Sequence, residues 1–379
     1  MMLTMTEEFG NASSKSHVFG WKAEEYVEKA RKLVANVIAA ENLDIIFTSG
    51  ATESNNTAIK GVCRFNRSAT KNHIVTTKIE HKCVLETCNY LKLRENFDVT
   101  FLDVDNKGLI NLQELELAIG DSTIMVSIMG VNNEIGVIQP LREIGAICRR
   151  KNVYFHSDCA QAFGKIPLNV EDMNIDLMSI SAHKIYGPKG VGALYVRRKP
   201  RVKIEALIHG GGQERGLRSG TLPVPLIVGL GKAAEIANTE MEMDAKKIKY
   251  LADKVIDNLL RMDRVYLNGS REQRWPGCLN FSFAGIEGES LMMSMKNIAV
   301  SSGSACTSAT LEPSYVIQAI GVDPEMAHSS VRIGLGRFTV EEEIDYLIEK
   351  IRREVPRLRE MSPLWETMEK KISATGSIS

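Results

Sequence analysis

Apolar positions along the chain switch between two periods, and the switches mark its elements. From Trp21 to Ala40, the residues Ala23, Val27, Ala30, Val34, Val37 and Ile38 recur at three- and four-residue spacing with charges opposite, which predicts a helix. Short apolar runs then alternate with helical patterns. Strands are predicted at Asp44–Thr48, His73–Thr77, Val99–Asp103, Thr123–Met129, Val153–Ser157, Leu177–Ser181 and Val191–Val196. Helices are predicted between them at Ser54–Phe65, Lys82–Leu93, Leu112–Ile119 and Arg142–Lys151. Strands alternating with helices imply a mostly parallel sheet covered on both faces. Near Pro223 and Pro225 the pattern changes. A long helical stretch, Leu226 to Met262, precedes strands at Val265–Leu267, Cys278–Phe283 and Val331–Gly334, with helices at Glu289–Lys296 and Val340–Arg359. The reading is α/β for residues 10–222 and a smaller α+β domain for 223–379, with a frayed tail after Trp365.

Composition narrows the function classes. With 379 residues, 47 basic against 47 acidic and no net charge, the composition argues against a protein whose main job is to coat nucleic acid or an acidic membrane. Its apolar runs fall short of the ~18 residues that span a bilayer. The N-terminus, Met1 to Phe9, has neither the apolar run of a secretory signal nor the arginines of a transit peptide. The 7 cysteines (63, 83, 88, 148, 159, 278 and 306) are odd in number and contain no C-x-x-C pair. That fits a reducing compartment. Six of them read as small buried hydrophobes.

Candidate chemistry gathers at the ends of the strands. Ser181-Ala182-His183-Lys184 follows an apolar strand. A lysine there can be desolvated, which makes its amine nucleophilic, as a Schiff-base lysine requires. Standing alone it would read as a surface lysine. Asp158 and Gln161 follow the strand Val153–Ser157, where α/β proteins bind ligands. An acid there can keep a pyridine nitrogen protonated, although a helix cap is the ordinary reading of a lone Asp. Thr48 to Asn56 joins strand to helix through Gly50, and the amides that follow, with the Thr52 hydroxyl, favour an anion. The loop Val131–Gly136 offers donors, and the glycine-rich stretch His209–Thr221 is either a second anion-contacting loop or a hinge. Cys306, in Ser301–Ser308, lies among small polar residues, a setting that suits thiol chemistry better than a core. Arg332 could clamp a carboxylate, though an arginine on a strand is more often an ion-pair partner.

Taken together, GATESNN from Gly50, EHK from Glu80, VNNEIG from Val131, SAHK from Ser181, RSGT from Arg218, SSGSACTS from Ser301 and MSPLWE from Met361 give a chain that resembles the cysteine desulfurases of the class V aminotransferases, close to the housekeeping iron–sulfur type. The resemblance runs from about Gly10 to Trp365. It implies a fold-type-I pyridoxal-phosphate transferase, a homodimer with sites at the subunit interface. Lys184 would carry the cofactor and His81 would stack on its ring. Asp158 would pair with the ring nitrogen, and Gln161 and Asn133 would face the phenolic oxygen. Ala51, Thr52, Ser181 and His183 would hold the phosphate, joined by Thr221 from the other subunit. Arg332, with Asn133, would bind the substrate carboxylate. Cys306 would be the nucleophile and a candidate transient iron–sulfur ligand.

The implied reaction takes sulfur from L-cysteine, leaves L-alanine and a persulfide on Cys306, and passes sulfur to an iron–sulfur scaffold protein, with tRNA thiolation a further outlet and frataxin-type and small accessory proteins as further partners. The implied compartment is a mitochondrion-type matrix or the bacterial cytoplasm. The family usually begins with an extended segment containing a short strand and a Thr-containing turn. This chain starts at about the loop that follows, Gly10–His17, so part of the pocket wall and small-domain packing is expected to be missing. Three alternatives stay open: a selenocysteine lyase, another class V enzyme that transaminates, and a scaffold partner with impaired catalysis. Lys184, Asp158, His81 and Cys306 together argue against the last.

Overall fold

The computed structural model describes residues 1–302 and 313–375. The chain folds as two compact units, one of residues 1–103, 110–131 and 139–241, the other of 104–109, 132–138 and 242–379.

In the first unit the order is α1 (Met2–Thr6), α2 (Val18–Val37), β1 (Ile45–Thr48), α3 (Ala51–Asn66), β2 (His73–Thr77), α4 (Lys82–Glu95), β3 (Asp98–Leu102), α5 (Leu112–Ala118), β4 (Thr123–Ser127), α6 (Leu141–Lys151), β5 (Tyr154–Asp158), β6 (Leu177–Ser181), β7 (Gly192–Val196) and the first part of α7 (Val224–Leu259). The seven strands form one sheet in the order β1-β7-β6-β5-β4-β2-β3. β7 runs antiparallel to both of its neighbours, and the remaining pairs are parallel. The sheet is therefore mixed and mostly parallel. Strands β4, β6 and β7 are buried along their whole length, which is why apolar residues such as Ile124, Met125, Val126, Leu177, Met178 and Ile180 dominate them without strict alternation.

Helix α3 packs on this sheet through Ala58, Ile59 and Val62, within a core that includes Ile74, Leu91, Met125 and Leu194. Each large aliphatic side chain buried there contributes about 1.5–3 kcal/mol. Boundary chemistry is local. His17 caps α2 by accepting from the Gly20 amide, Asn111 caps α5, and Asn96 and Asn152 take left-handed backbone (φ 54° and 52°) to end α4 and α6.

The second unit holds the rest of α7, then β8 (Val265–Leu267), β9 (Cys278–Phe283), α8 (Gly288–Ser294), α9 (Tyr315–Ala319), α10 (Pro324–His328), β10 (Ser330–Gly334), α11 (Glu341–Glu360) and α12 (Pro363–Thr375). Its three strands make an antiparallel sheet in the order β10-β9-β8. The short helices α9 and α10 carry too few turns to show a period in sequence, although Ser314 and Asp323 cap them. The tail after Trp365, expected to be frayed, continues as α12 to Thr375.

Candidate active site

The first unit brings its chemistry to one edge of the sheet. Helix α3 starts at Ala51, three residues earlier than expected, so Ala51 and Thr52 stand in its first turn with amides that have no intrahelical acceptor. Thr52 is exposed. Gly50 holds φ at 151°, a region open to glycine. A Cβ on Gly192 would lie 2.7 Å from the Gly50 Cα, so two glycines let β7 and this turn meet. Thr48 Oγ1 pairs with Ser54 Oγ at 2.8 Å, and Ser54 Oγ donates to the Ala193 carbonyl at 3.0 Å. The turn is thereby fixed to β7.

Asp158 is the last residue of β5 and is buried. Its Oδ1 accepts from the Ala160 amide at 2.9 Å and its Oδ2 from Asn55 Nδ2 at 2.7 Å. Ser181 ends the neighbouring β6, and its Oγ lies 2.9 Å from His183 Nδ1. His183 and Lys184 follow on a short 3₁₀ turn, and both are exposed in the single chain. The desolvation anticipated for Lys184 is therefore not supplied by this chain's own packing, because the 3₁₀ turn lifts the side chain off the buried strand. Gln161 accepts from Lys165 Nζ at 2.7 Å.

His81 is the residue before α4, and its Nδ1 accepts from the Cys83 amide at 3.2 Å. Burial holds its pKa below the ordinary value, the Asp158 carboxylate opposes that, and the Lys184 ammonium adds to it. Asp158 and Lys184 thus each lie within electrostatic reach of His81.

The expectation that six cysteines are small buried hydrophobes needs two corrections, since Cys83 and Cys278 are both only partly buried. The Sγ of Cys83 lies 3.0 Å from His81 Nδ1 and 3.0 Å from Asn55 Nδ2. It belongs to the site. Burial pushes its thiol up to about 12, as it does those of Cys88 and Cys159, so these sulfurs stay protonated. Asn55 was also missed. It lies on the core face of α3 with Ala58, Ile59 and Val62, and a buried amide in that register is a signal the sequence did carry.

The glycine-rich stretch 209–221 commits its cations to the protein. Arg218 Nε donates to Glu53 Oε1 at 3.0 Å, and Arg215 Nη2 donates to the Ile45 carbonyl at 2.6 Å. Glu214 is buried and takes both terminal nitrogens of Arg31 at 2.7 Å, together with the Phe47 amide at 2.8 Å. Thr221, at the end of the stretch, is exposed.

The second unit carries Asn133 and Arg332. Arg332, in β10, donates from Nε to Ser301 Oγ at 3.0 Å and from Nη1 to the Asn133 carbonyl at 2.8 Å. Asn133 is partly buried and its Oδ1 has no hydrogen-bond partner among the described residues. Ser314 Oγ donates to the buried carboxylate of Glu134 at 2.5 Å. Cys306 lies outside the described residues. Among the described residues, no group of His, Cys, Asp and Glu is placed to hold a metal ion, and no helix is long and apolar enough to cross a membrane.

An amine, a buried carboxylate, an imidazole and a helix N-terminus flanked by hydroxyls, all at the same sheet edge, are the donor set of a fold-type-I pyridoxal-phosphate enzyme. A family model described as aminotransferase class-V matches residues 1–347. The cysteine desulfurase IscS of Rickettsia africae is 59% identical over 373 residues, covering 98% of this chain and 90% of that protein. The mitochondrial cysteine desulfurase of Eremothecium gossypii is 60% identical over 366 residues, covering 97% of this chain and 74% of its own length. A solved NifS-like protein superposes with a TM-score of 0.87 at 40% identity, covering 94% of each chain. The chain belongs to the class-V aminotransferase family, among its pyridoxal-phosphate-dependent cysteine desulfurases.

Proposed function

We propose that this chain removes sulfur from L-cysteine, leaves L-alanine, and parks the sulfur on Cys306 for delivery to an iron–sulfur scaffold protein. The observation that supports this is the placement of Asp158 at the end of β5 and of Lys184 on the turn just after the adjacent parallel strand β6, with His81 feeling both charges. Residues 10–222 form the cofactor domain in this reading, and 223–379 form the domain with the sulfur-accepting cysteine.

When bound, pyridoxal phosphate supplies an electron sink for charge that develops at the substrate Cα. Lys184 would hold it covalently and Asp158 would pair with its ring nitrogen. The α3 amides at Ala51 and Thr52, with Ser181 and His183, would take its phosphate, joined by Thr221 from the other subunit of a homodimer. Gln161 and Asn133 would serve its phenolic oxygen. A Cβ on Gly50 would meet nothing within 4 Å, so the ground just before the α3 N-terminus is open, which suits this group.

Arg332, with Asn133, orients the substrate by its carboxylate. Once the substrate amine has displaced it, the freed Lys184 Nζ would take the proton from the substrate Cα. The Cys306 thiolate attacks the substrate sulfur: an S–S bond forms, the C–S bond breaks, and its electron pair stays with the carbon fragment, which becomes alanine on protonation. His81 gives or holds a proton at the departing sulfur. The described cysteines whose thiols burial keeps protonated do not compete with this step. Relatives are bacterial and mitochondrial, so the working compartment is a bacterial cytoplasm or a mitochondrion-type matrix.

The test is borohydride reduction of the yellow protein followed by peptide mass spectrometry, with alanine and sulfide measured for the wild type and for Cys306→Ala. A pyridoxyl adduct on Lys184 and loss of persulfide transfer in the variant are expected. An adduct elsewhere, or full sulfur transfer without Cys306, overturns the reading.

A further inference from the structure

Asn55 is completely buried on the face of α3 that packs against the sheet, where its neighbours in register are Ala58, Ile59 and Val62. An apolar residue would fit that face at lower cost, since a buried amide must be hydrogen-bonded to be tolerated. Asn55 spends its Nδ2 on two acceptors: Asp158 Oδ2 at 2.7 Å and Cys83 Sγ at 3.0 Å. Its Oδ1 finds no hydrogen-bond partner among the described residues. The orientation is dictated, because a flipped amide would set its oxygen against the carboxylate. The residue accepts an unpaired buried oxygen to keep a donor on Asp158.

That donor completes the grip on the carboxylate. Oδ1 is held by the Ala160 amide at 2.9 Å, on the chain just past β5, and Oδ2 is held from α3. One bond leaves a carboxylate free to swing about it, whereas two from different elements fix its plane. The Cys83 sulfur in turn lies 3.0 Å from His81 Nδ1, so the same amide also stands behind the imidazole.

Resting on the cofactor site proposed above, we infer that Asn55 is a positioning residue of the sulfur-removing reaction: it sets the plane of the Asp158 carboxylate that meets the cofactor's ring nitrogen and, through Cys83, the seat of His81. Asn55 itself touches neither substrate nor cofactor.

The experiment uses full-length, cofactor-saturated protein as wild type, Asn55→Ala and Asn55→Leu, each also in an Asp158→Asn background. Asn55→Leu keeps most of the volume on this apolar face and removes the donor, so it serves if the alanine variant does not fold. The pH midpoint of the visible band, kcat and KM for alanine release, and the borohydride adduct are read for each. Both single variants are expected to keep the Lys184 adduct, to lose roughly tenfold or more in kcat with KM within about threefold, and to move the spectral midpoint upward, since a ring nitrogen less firmly protonated withdraws less charge from the lysine link. In the Asp158→Asn background the further loss in kcat is expected to be less than about twofold, the non-additivity of coupled residues. A wild-type midpoint and kcat in the single variants, or fully additive losses, overturn the role of Asn55 while the Lys184 adduct stands. Absence of that adduct from the wild type overturns the site, and Asn55 with it.

Discussion

Arg332 donates from Nη1 to the carbonyl of Asn133 at 2.8 Å, and its Nε is taken by Ser301 Oγ at 3.0 Å. Two of its three nitrogens are thus engaged by the protein, and the strand residue is held from both sides. Ser301 and Arg332 also exchange backbone hydrogen bonds, at 2.7 and 3.2 Å. The residue proposed to receive the substrate carboxylate is preset in position.

Arg332→Lys should therefore harm recognition more than the cofactor. A lysine cannot keep the fork that holds Ser301, Asn133 and a carboxylate together. Losing a charged hydrogen bond costs about 1.5–3 kcal/mol, or roughly 10- to 100-fold in kcat/KM. Steady-state kinetics should show KM for L-cysteine rising while the visible absorbance band is unchanged. A KM equal to wild type would remove Arg332 from substrate binding.

The state of His81 makes a pH prediction. Burial holds its pKa below the ordinary 6.5, only partly countered by Asp158. The ring is therefore neutral at pH 7 and gains a proton only on acidification. If the neutral ring is the working form, kcat/KM falls on the acid side with a midpoint below 6.5, and His81→Gln removes that limb. A limb centred above pH 6.5 that survives the substitution would belong to another group.

A stability prediction concerns Arg31. Its guanidinium and the Glu214 carboxylate are both buried, and the pair also satisfies the Ile45 carbonyl and the Phe47 amide of β1. Arg31→Ala leaves Glu214 charged and unpaired in the interior. Breaking one partner of such a pair costs about 3–5 kcal/mol, which denaturant titration should detect. An isosteric Arg31→Met with Glu214→Leu should recover a large share of that loss.

His156 gives a linkage prediction of definite sign. It is fully buried between Ser127 Oγ at 2.8 Å and Ser179 Oγ at 3.0 Å, and burial lowers its pKa to about 3. A histidine depressed in the folded state binds its proton first in the unfolded state. Its stabilising effect is complete above the unfolded pKa near 6.5 and is lost as pH falls from there towards 3. The slope approaches about 1.4 kcal/mol per pH unit. The buried Glu80 carboxyl, raised to about 8 by desolvation, acts oppositely between its two pKa values, so the comparison must be made by difference. Stability of wild type minus that of His156→Gln should shrink steadily between pH 6 and pH 4, and a constant difference would refute it.

The sequence made the sheets legible because their strands are short, mostly buried segments rich in apolar residues between helical or turn stretches. His73–Thr77, Leu177–Ser181, Val265–Leu267 and Cys278–Phe283 form with the expected bounds. Residues at strand ends were legible for the same reason: Asp158 and Ser181 close adjacent strands, and Lys184 follows. What escaped was tertiary. Cys83 and Asn55 look like fillers of α4 and α3, and only the meeting of those helices with β5 shows them bonded around Asp158. The exposure of Lys184 in the single chain was equally hidden, because a 3₁₀ turn after a buried strand leaves no period to read. Arg215 and Arg218 looked like anion contacts, yet each has a protein partner that depends on long-range packing.

Gly192 has a consequence for how the protein matures. Thr48 of β1 and Ser181 of β6 both register on this one residue, from opposite sides of β7. Until that strand is in place, the turn that would grip a phosphate and the turn that would carry the lysine share no common scaffold. A chain that has not finished its sheet has no means of capturing vitamin B6, so the acquisition of yellow colour doubles as a gauge of completed folding.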